Sequence, residues 1–223
     1  METFAQSPAG ASGLGSFCGL RPHWTFFSAD RVGRWAYGGK EVSDAHVTCL
    51  TSRGFLKISP AEYTRAARAS RPEAMDFLSD PLPASDMRSD RVRKSVDRTL
   101  AWAKMQIQQM SAAAVAAAPA DRGEDDADGA PPAKRAAVAA PPVPYMFAAV
   151  QGGGIPAERA RCAAALSALP ELCGFALGGF GTGESPTERD TLIRATVAAL
   201  TPAKPRLISG VGSPEEVLRC VAA

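Results

Sequence analysis

Three times after residue 144 a short apolar run is followed by a segment of helix length. YMFAAV precedes a helix expected near 156–168, CGFAL one near 187–200, and PRLIS one from Ser213. Strands this short, apolar throughout instead of alternating, are buried on both faces, and strands interleaved with helices form a parallel sheet. The pattern extends upstream, where EAMDFLS reads as a strand leading to Asp80 and the loop PLPAS. The clearest helix of the chain follows, with Val92, Val96, Leu100, Ala103, Ile107 and Met110 recurring along one apolar face.

That is four strand-helix units from EAMDFLS onward, whereas a closed (β/α)₈ barrel needs eight and about 250 residues. The fold class is α/β. On the pattern alone an open doubly wound sheet and an incomplete barrel both fit. Arg91, Arg93, Lys94 and Arg98 fall largely outside the apolar stripe of the long helix. A solvated face laced with Asp90 and Asp97 accounts for them, and so does a patch that contacts phosphates.

Before these units, HVTCLT and FLKIS are β-prone runs around Ser52-Arg53-Gly54, a hairpin signature. A helix should then run from Pro60 to about Ser70, because Ser59, Pro60 and Glu62 supply cap, first helical residue and capping-box partner. Ser213, Pro214 and Glu216 repeat that logic. Residues 1–44 lack a sustained period and are expected to be irregular, with buried pieces at 17–20 and 24–27. Residues 111–143, rich in Ala, Pro and Asp, are expected to be a disordered insertion in a domain spanning 45–223.

Composition narrows the function. With 46% hydrophobic residues, many of them alanine, one core is expected and it should be thin. The net charge of +2 gives no whole-chain attraction to nucleic acid or membrane, so any RNA contact is local. Five widely spaced cysteines without a C-x-x-C pair suit reduced thiols. No run reaches the ~20 apolar residues of a membrane span, and the N-terminus lacks the charged and apolar regions of a secretory signal, so a cytoplasmic protein is expected.

In either α/β arrangement a ligand lies at the carboxyl ends of the strands. Three loops there carry glycines: Gln151-Gly152-Gly153-Gly154, Gly178-Gly179-Phe180-Gly181-Thr182-Gly183-Glu184, and Gly210-Val211-Gly212. Glycine lets a backbone approach a ligand and offer its amides, although tight turns without a ligand use it equally. Gln151 has an amide that can pair with a nucleobase edge, and Phe180 can stack on a base or fill space. GGFGTGE does not satisfy G-x-G-x-x-G. Neither His23 nor His46 belongs to a triad, and no Cys/His/carboxylate cluster has metal-ligand spacing. Asp80 is the best-placed carboxylate for chemistry, with a loop or cap role as the alternative.

Taken together, VQGG, GGFGTGE and KPRLISGVGSPEEVL, each following a strand in this order, resemble the tRNA-guanine transglycosylases. RVRKSVDRTL at 91–100, KPRLISGV at 204–211 and the segment HVTCLTSRGFLKISPAEYTRAARASRPEAMDFLSD look most like the eukaryotic accessory-subunit branch. The resemblance covers about two thirds of the chain, more faintly FCGLRPHWTFFSAD. It implies a (β/α)₈ barrel, here an incomplete one. It also implies exchange of guanine for queuine at the tRNA wobble position, by an aspartate that attacks the ribose, within a heterodimer of a catalytic queuine tRNA-ribosyltransferase subunit and an accessory subunit. Gln151, Gly152, Gly178, Gly179 and Phe180 match base-holding positions. A peripheral association with mitochondria is compatible with the family.

The departures point to the non-catalytic side. Catalytic members place a base-binding aspartate after the phenylalanine of FDEC, whereas here Phe77 is followed by Leu78. A leucine leaves purine donors unpaired, at about 1–3 kcal/mol each. The early D-S-G-G stretch has no counterpart. By the resemblance, the nucleophilic aspartate and the zinc ligands C-x-C-x-x-C…H of full-length members fall beyond residue 223. No catalytic residue and no metal ligand are therefore expected within this chain.

Overall fold

The computed structural model describes residues 13–20, 23–29, 42–51, 54–117 and 143–223. A short helix α1 (Leu14–Phe17) precedes strand β1 (Phe26–Phe27). The antiparallel hairpin β2 (Val47–Thr51) and β3 (Gly54–Ile58) follows, then α2 (Pro60–Ser70) and β4 (Ala74–Asp76). The rest alternates: α3 (Ser89–Ala117), β5 (Tyr145–Val150), α4 (Pro156–Ser167), β6 (Gly174–Leu177), α5 (Pro186–Ala199), β7 (Arg206–Ile208) and α6 (Pro214–Ala222).

Strand order decides between the two α/β arrangements. The parallel sheet runs β1-β4-β5-β6-β7, each strand beside its predecessor in the chain, apart from the hairpin, which forms its own sheet. A doubly wound sheet reverses direction at a switch point, and this one does not. Successive right-handed crossovers then stack their helices on one face, and α3, α4, α5 and α6 pack in sequence. The result is a curled half-barrel sheet with its helices outside.

Register sorts the strand residues. Met75 pairs with Met146, Ala148 with Phe175 and Val150 with Leu177, and all six belong to the core cluster beneath the helices. The alternate positions, Ala74, Phe147, Ala149, Gly174 and Ala176, face the concave side. There the Phe147 ring covers Gly174 so closely that a side chain at Gly174 would collide with it.

Four expectations need correction. Residues 1–44 are not wholly irregular, since Phe26 and Phe27 pair in parallel with Ala74 and Met75 and form the edge of the main sheet. Of the pieces expected to be buried, Phe17, Leu20, Trp24 and Phe26 are exposed, whereas Phe27 is partly buried against the core. Trp24 stacks on Tyr145 at 5.3 Å and Phe26 meets Phe147 edge-on at 5.5 Å, but these rings line the open concave face. EAMDFLS is a strand only over Ala74–Asp76; Phe77 N–H still donates to Phe147 O on β5, and from Leu78 the chain turns away to bond with α3. Finally, α3 continues through Ala117, where alanines of high helix propensity prolong it. The remainder of the expected insertion, 118–142, and the hairpin turn residues 52–53 lie outside the described residues.

The helix starts follow local chemistry. Ser59, Ser185 and Ser213 each cap a helix whose first residue is proline and whose Glu62, Glu188 or Glu216 closes a capping box. Such a cap is worth about 1 kcal/mol. The second of these places the start of α5 at Pro186. Among the described residues no helix is long and apolar enough to cross a membrane.

Candidate functional site

The carboxyl end of β4 turns into a loop whose centre is Asp80, a fully buried carboxylate. Arg91 approaches it with both terminal guanidinium nitrogens, at 2.7 and 2.6 Å, and Arg98 donates to the same carboxylate. The Asp80 N–H donates to the Thr99 hydroxyl at 3.2 Å, and its carbonyl accepts from the Ser95 hydroxyl at 2.5 Å. Two residues earlier, the Gln106 side chain accepts from Leu78 N–H and donates to Leu78 O. The run RVRKSVDRTL thus has a structural meaning. Its positions 92 and 96 enter the core while 91, 95, 98 and 99 grip one residue.

This divides the basic residues, which were read as one set: Arg93 pairs with Asp90 on a solvated face. Arg93 and Lys94 are exposed, but Arg91 and Arg98 turn inward. Burial works against the charge on Arg98; bonds to Asp44 and Asp80 more than offset it and hold its pKa above the usual value. Asp80 is a structural counter-ion here. Leu78, read as the replacement of a base-binding aspartate, sits in the hydrophobic core cluster.

The glycine loops after β5 and β6 meet around Arg159, a fully buried residue in the first turn of α4. Its Nε donates to Gly153 O at 2.7 Å and one terminal nitrogen to Gly178 O at 3.2 Å, while the guanidinium lies 4.3 Å from the centre of the Phe180 ring. The other terminal nitrogen is buried and has no hydrogen-bond partner among the described residues. Burial pushes the Arg159 pKa down to about 10, against opposing pulls from Cys162 and Glu184. Burial likewise raises the Cys162 thiol to about 11, despite a bond with the Gln151 backbone. That thiol is poorly suited to be a nucleophile.

Gln151 is completely buried, its Oε1 accepting from Leu82 N–H at 3.4 Å and its Nε2 donating to the Ser79 hydroxyl at 3.1 Å. Gly179 O accepts from Ala84 N–H and from the Thr182 hydroxyl, both at 2.8 Å. Gly179 has φ +84°, and any Cβ there would strike the Leu82 carbonyl oxygen. The third glycine loop joins the others through Gly210, which lies against the Phe180 carbonyl.

Beside them Glu184 accepts from Gly181 N–H at 2.7 Å, Thr182 N–H at 2.9 Å and Arg189 Nε at 2.8 Å. Arg189 also pairs with Glu216 on α6. Burial alone would raise the Glu184 pKa, and the two backbone donors and Arg189 bring it below its usual value.

The residues singled out in the sequence, Gln151, Gly152, Gly178, Gly179 and Phe180, are therefore brought together, all buried. His23 and His46 lie elsewhere, the latter bonded through Nδ1 to Ser43 at 2.9 Å. Among the described residues no three His, Cys, Asp or Glu side chains cluster as metal ligands. Cys18, Cys162, Cys173 and Cys220 are free thiols. Sequence reasoning missed Arg159 and Arg189. The signal was available: each occupies the first position of an otherwise uncharged buried stripe, 159-162-163-166 and 189-192-193-196. A cation there is opposed by the helix dipole and by burial, so it needs a specific partner.

The family model described as queuine tRNA-ribosyltransferase matches residues 8–223, nearly the whole chain. This chain belongs to the queuine tRNA-ribosyltransferase family. Its similarity to queuine tRNA-ribosyltransferase accessory subunit 2 of Xenopus tropicalis is 32% identity over 211 residues, covering 94% of this chain and 44% of that protein. The corresponding protein of Trichoplax adhaerens is 30% identical over 204 residues, 91% of this chain and 47% of that one. The queuine tRNA-ribosyltransferase of Rhizobium meliloti is 43% identical over a shorter stretch of 77 residues, 34% of this chain and 20% of that protein. The chain spans under half the length of these relatives. The family match begins before β1, consistent with that strand pairing in the main sheet.

Proposed function

We propose that the protein is a non-catalytic accessory subunit of queuine tRNA-ribosyltransferase, which pairs with a catalytic subunit and supports exchange of guanine for queuine at the tRNA wobble position. The observation that carries this reading is the state of the base-holding positions. Gln151 and Gly179 match residues that hold a base in catalytic members, yet here their polar atoms are bonded to the Ser79–Ala84 segment. The run 91–100, which carries the accessory-branch resemblance, is the run that grips that segment through Asp80.

In this reading the chain lends a scaffold and surface, while the attacking carboxylate and the bound base belong to the partner subunit. Zinc, implied for full-length members, finds no donor set among the described residues. A second reading, a catalytic transglycosylase, draws on the stretch shared at 43% identity with the bacterial enzyme.

The deciding experiment measures incorporation of labelled guanine into tRNA by the purified full-length protein, alone and with the catalytic subunit. No incorporation alone and activity on mixing are expected. Exchange by this protein without a partner would sink the accessory reading in favour of the catalytic one.

A further inference from the structure

The loop from Ser79 to Ala84 lies where a ligand of the glycine loops would have to bond. A purine edge recognised by Gln151 needs its amide, and both ends of that amide are engaged by Leu82 N–H and the Ser79 hydroxyl. A ligand that approached Gly179 would meet the Leu82 carbonyl, packed against Gly179 without room for a Cβ, and Ala84 N–H already on the Gly179 carbonyl. Leu82 is buried outside the core cluster formed with the helices. We propose that this loop is the resident occupant of the base site, and that Asp80 is the positioning residue that keeps it there.

The bonds themselves say which contact holds the loop. Leu82 N–H to Gln151 Oε1 is long, at 3.4 Å, and a contact of that length contributes little. Asp80 is held on every polar side by Arg91, Arg98, Ser95 and Thr99. These four come from one helix at spacings that share a face, and that helix is anchored by the buried Val92 and Val96. Moving the loop therefore separates a buried carboxylate from two guanidinium groups, which such pairs strongly resist. A base must wait for that opening, and its apparent affinity falls with the fraction of molecules that are open.

The inference rests on the reading of the glycine loops as a base site, so its test uses free guanine and no tRNA. Failure of the accessory assignment would show in the exchange assay, whereas failure here shows in base binding. Asp80→Asn keeps the shape of the side chain but removes the charge that balances Arg91 and Arg98. In the full-length protein, equilibrium dialysis with guanine should show binding at least about tenfold tighter for Asp80→Asn than for the unmodified protein. A folded variant, judged by circular dichroism, that binds no better overturns the proposal. Should that variant not fold, amide exchange in the unmodified protein decides. Leu82 and Ala84 N–H should exchange slowly without guanine and faster as guanine is added. Fast exchange without guanine, or slower exchange with it, overturns the proposal.

Discussion

Arg159 and Arg189 occupy the same place in successive strand-helix units, each the fourth residue of a helix that opens Pro-x-Glu-Arg, and both are buried. Their surroundings differ. Arg189 bridges two carboxylates, Glu184 and Glu216. Arg159 meets two carbonyls and the face of Phe180, and one of its nitrogens has no hydrogen-bond partner among the described residues. The glutamates before them differ as well: Glu188 closes a capping box with Ser185, while Glu158 pairs with Arg161. Local sequence puts an arginine at the rim of the half-barrel, and neighbours from other units decide whether its charge is neutralised.

The sharpest way to break that comparison is Arg189→Met, which leaves Glu184, its side chain only 1% exposed, without a counter-charge. A loss of about 3–5 kcal/mol is expected in urea unfolding of the full-length protein. Gly179→Ala probes the Arg159 side, because φ +84° and the Leu82 carbonyl both oppose a side chain. It should cost about 2–3 kcal/mol, against roughly 1 kcal/mol for Gly183→Ala, where φ is +108° but the space is open. Equal costs would mean that the Leu82 contact is not tight in solution.

Arg159→Met comes next. It orphans the Gly153 and Gly178 carbonyls but relieves a buried cation that has no carboxylate, so the net loss should be only about 1–2 kcal/mol. A larger loss than for Arg189→Met would reverse the comparison.

The smallest effect is a pH dependence. Hydrogen bonding from Arg189, helped by the Ser213 and Gly212 N–H groups, lowers the Glu216 pKa from 4.5 to about 2. A carboxylate depressed in the folded state stabilises fully above its unfolded value, and that contribution fades as pH falls through the folded one. The Glu184 shift has the same sign. The gap in urea midpoint between the unmodified protein and Arg189→Met should therefore narrow as pH drops from 4.5 toward 2. A gap independent of pH would remove Glu184 and Glu216 from the account of Arg189.

What was legible in the sequence was short-range. Capping boxes span three residues and apolar stripes repeat every turn, so α2, α6 and the buried face of α3 could be read without a fold. The glycine loops were legible as a set, because their order along the chain carries the family resemblance. Their bonding was not. Gln151 finds Ser79 across 72 residues and Leu82 across 69, separations no local pattern encodes.

By itself the sequence determined the α/β class, most helix starts, the parallel strands and membership of the family, because each depends on neighbours in the chain or on linked motifs. The tertiary structure decided the rest. It selected the half-barrel by placing every strand beside its predecessor, and recruited Phe26 and Phe27 to the sheet edge. It also turned Arg91 and Arg98 from surface charges into a clamp on Asp80. A buried charge must find its partner wherever the fold brings one, and only the folded chain shows that Asp80 has two guanidinium groups while Arg159 has no bonded carboxylate among the described residues.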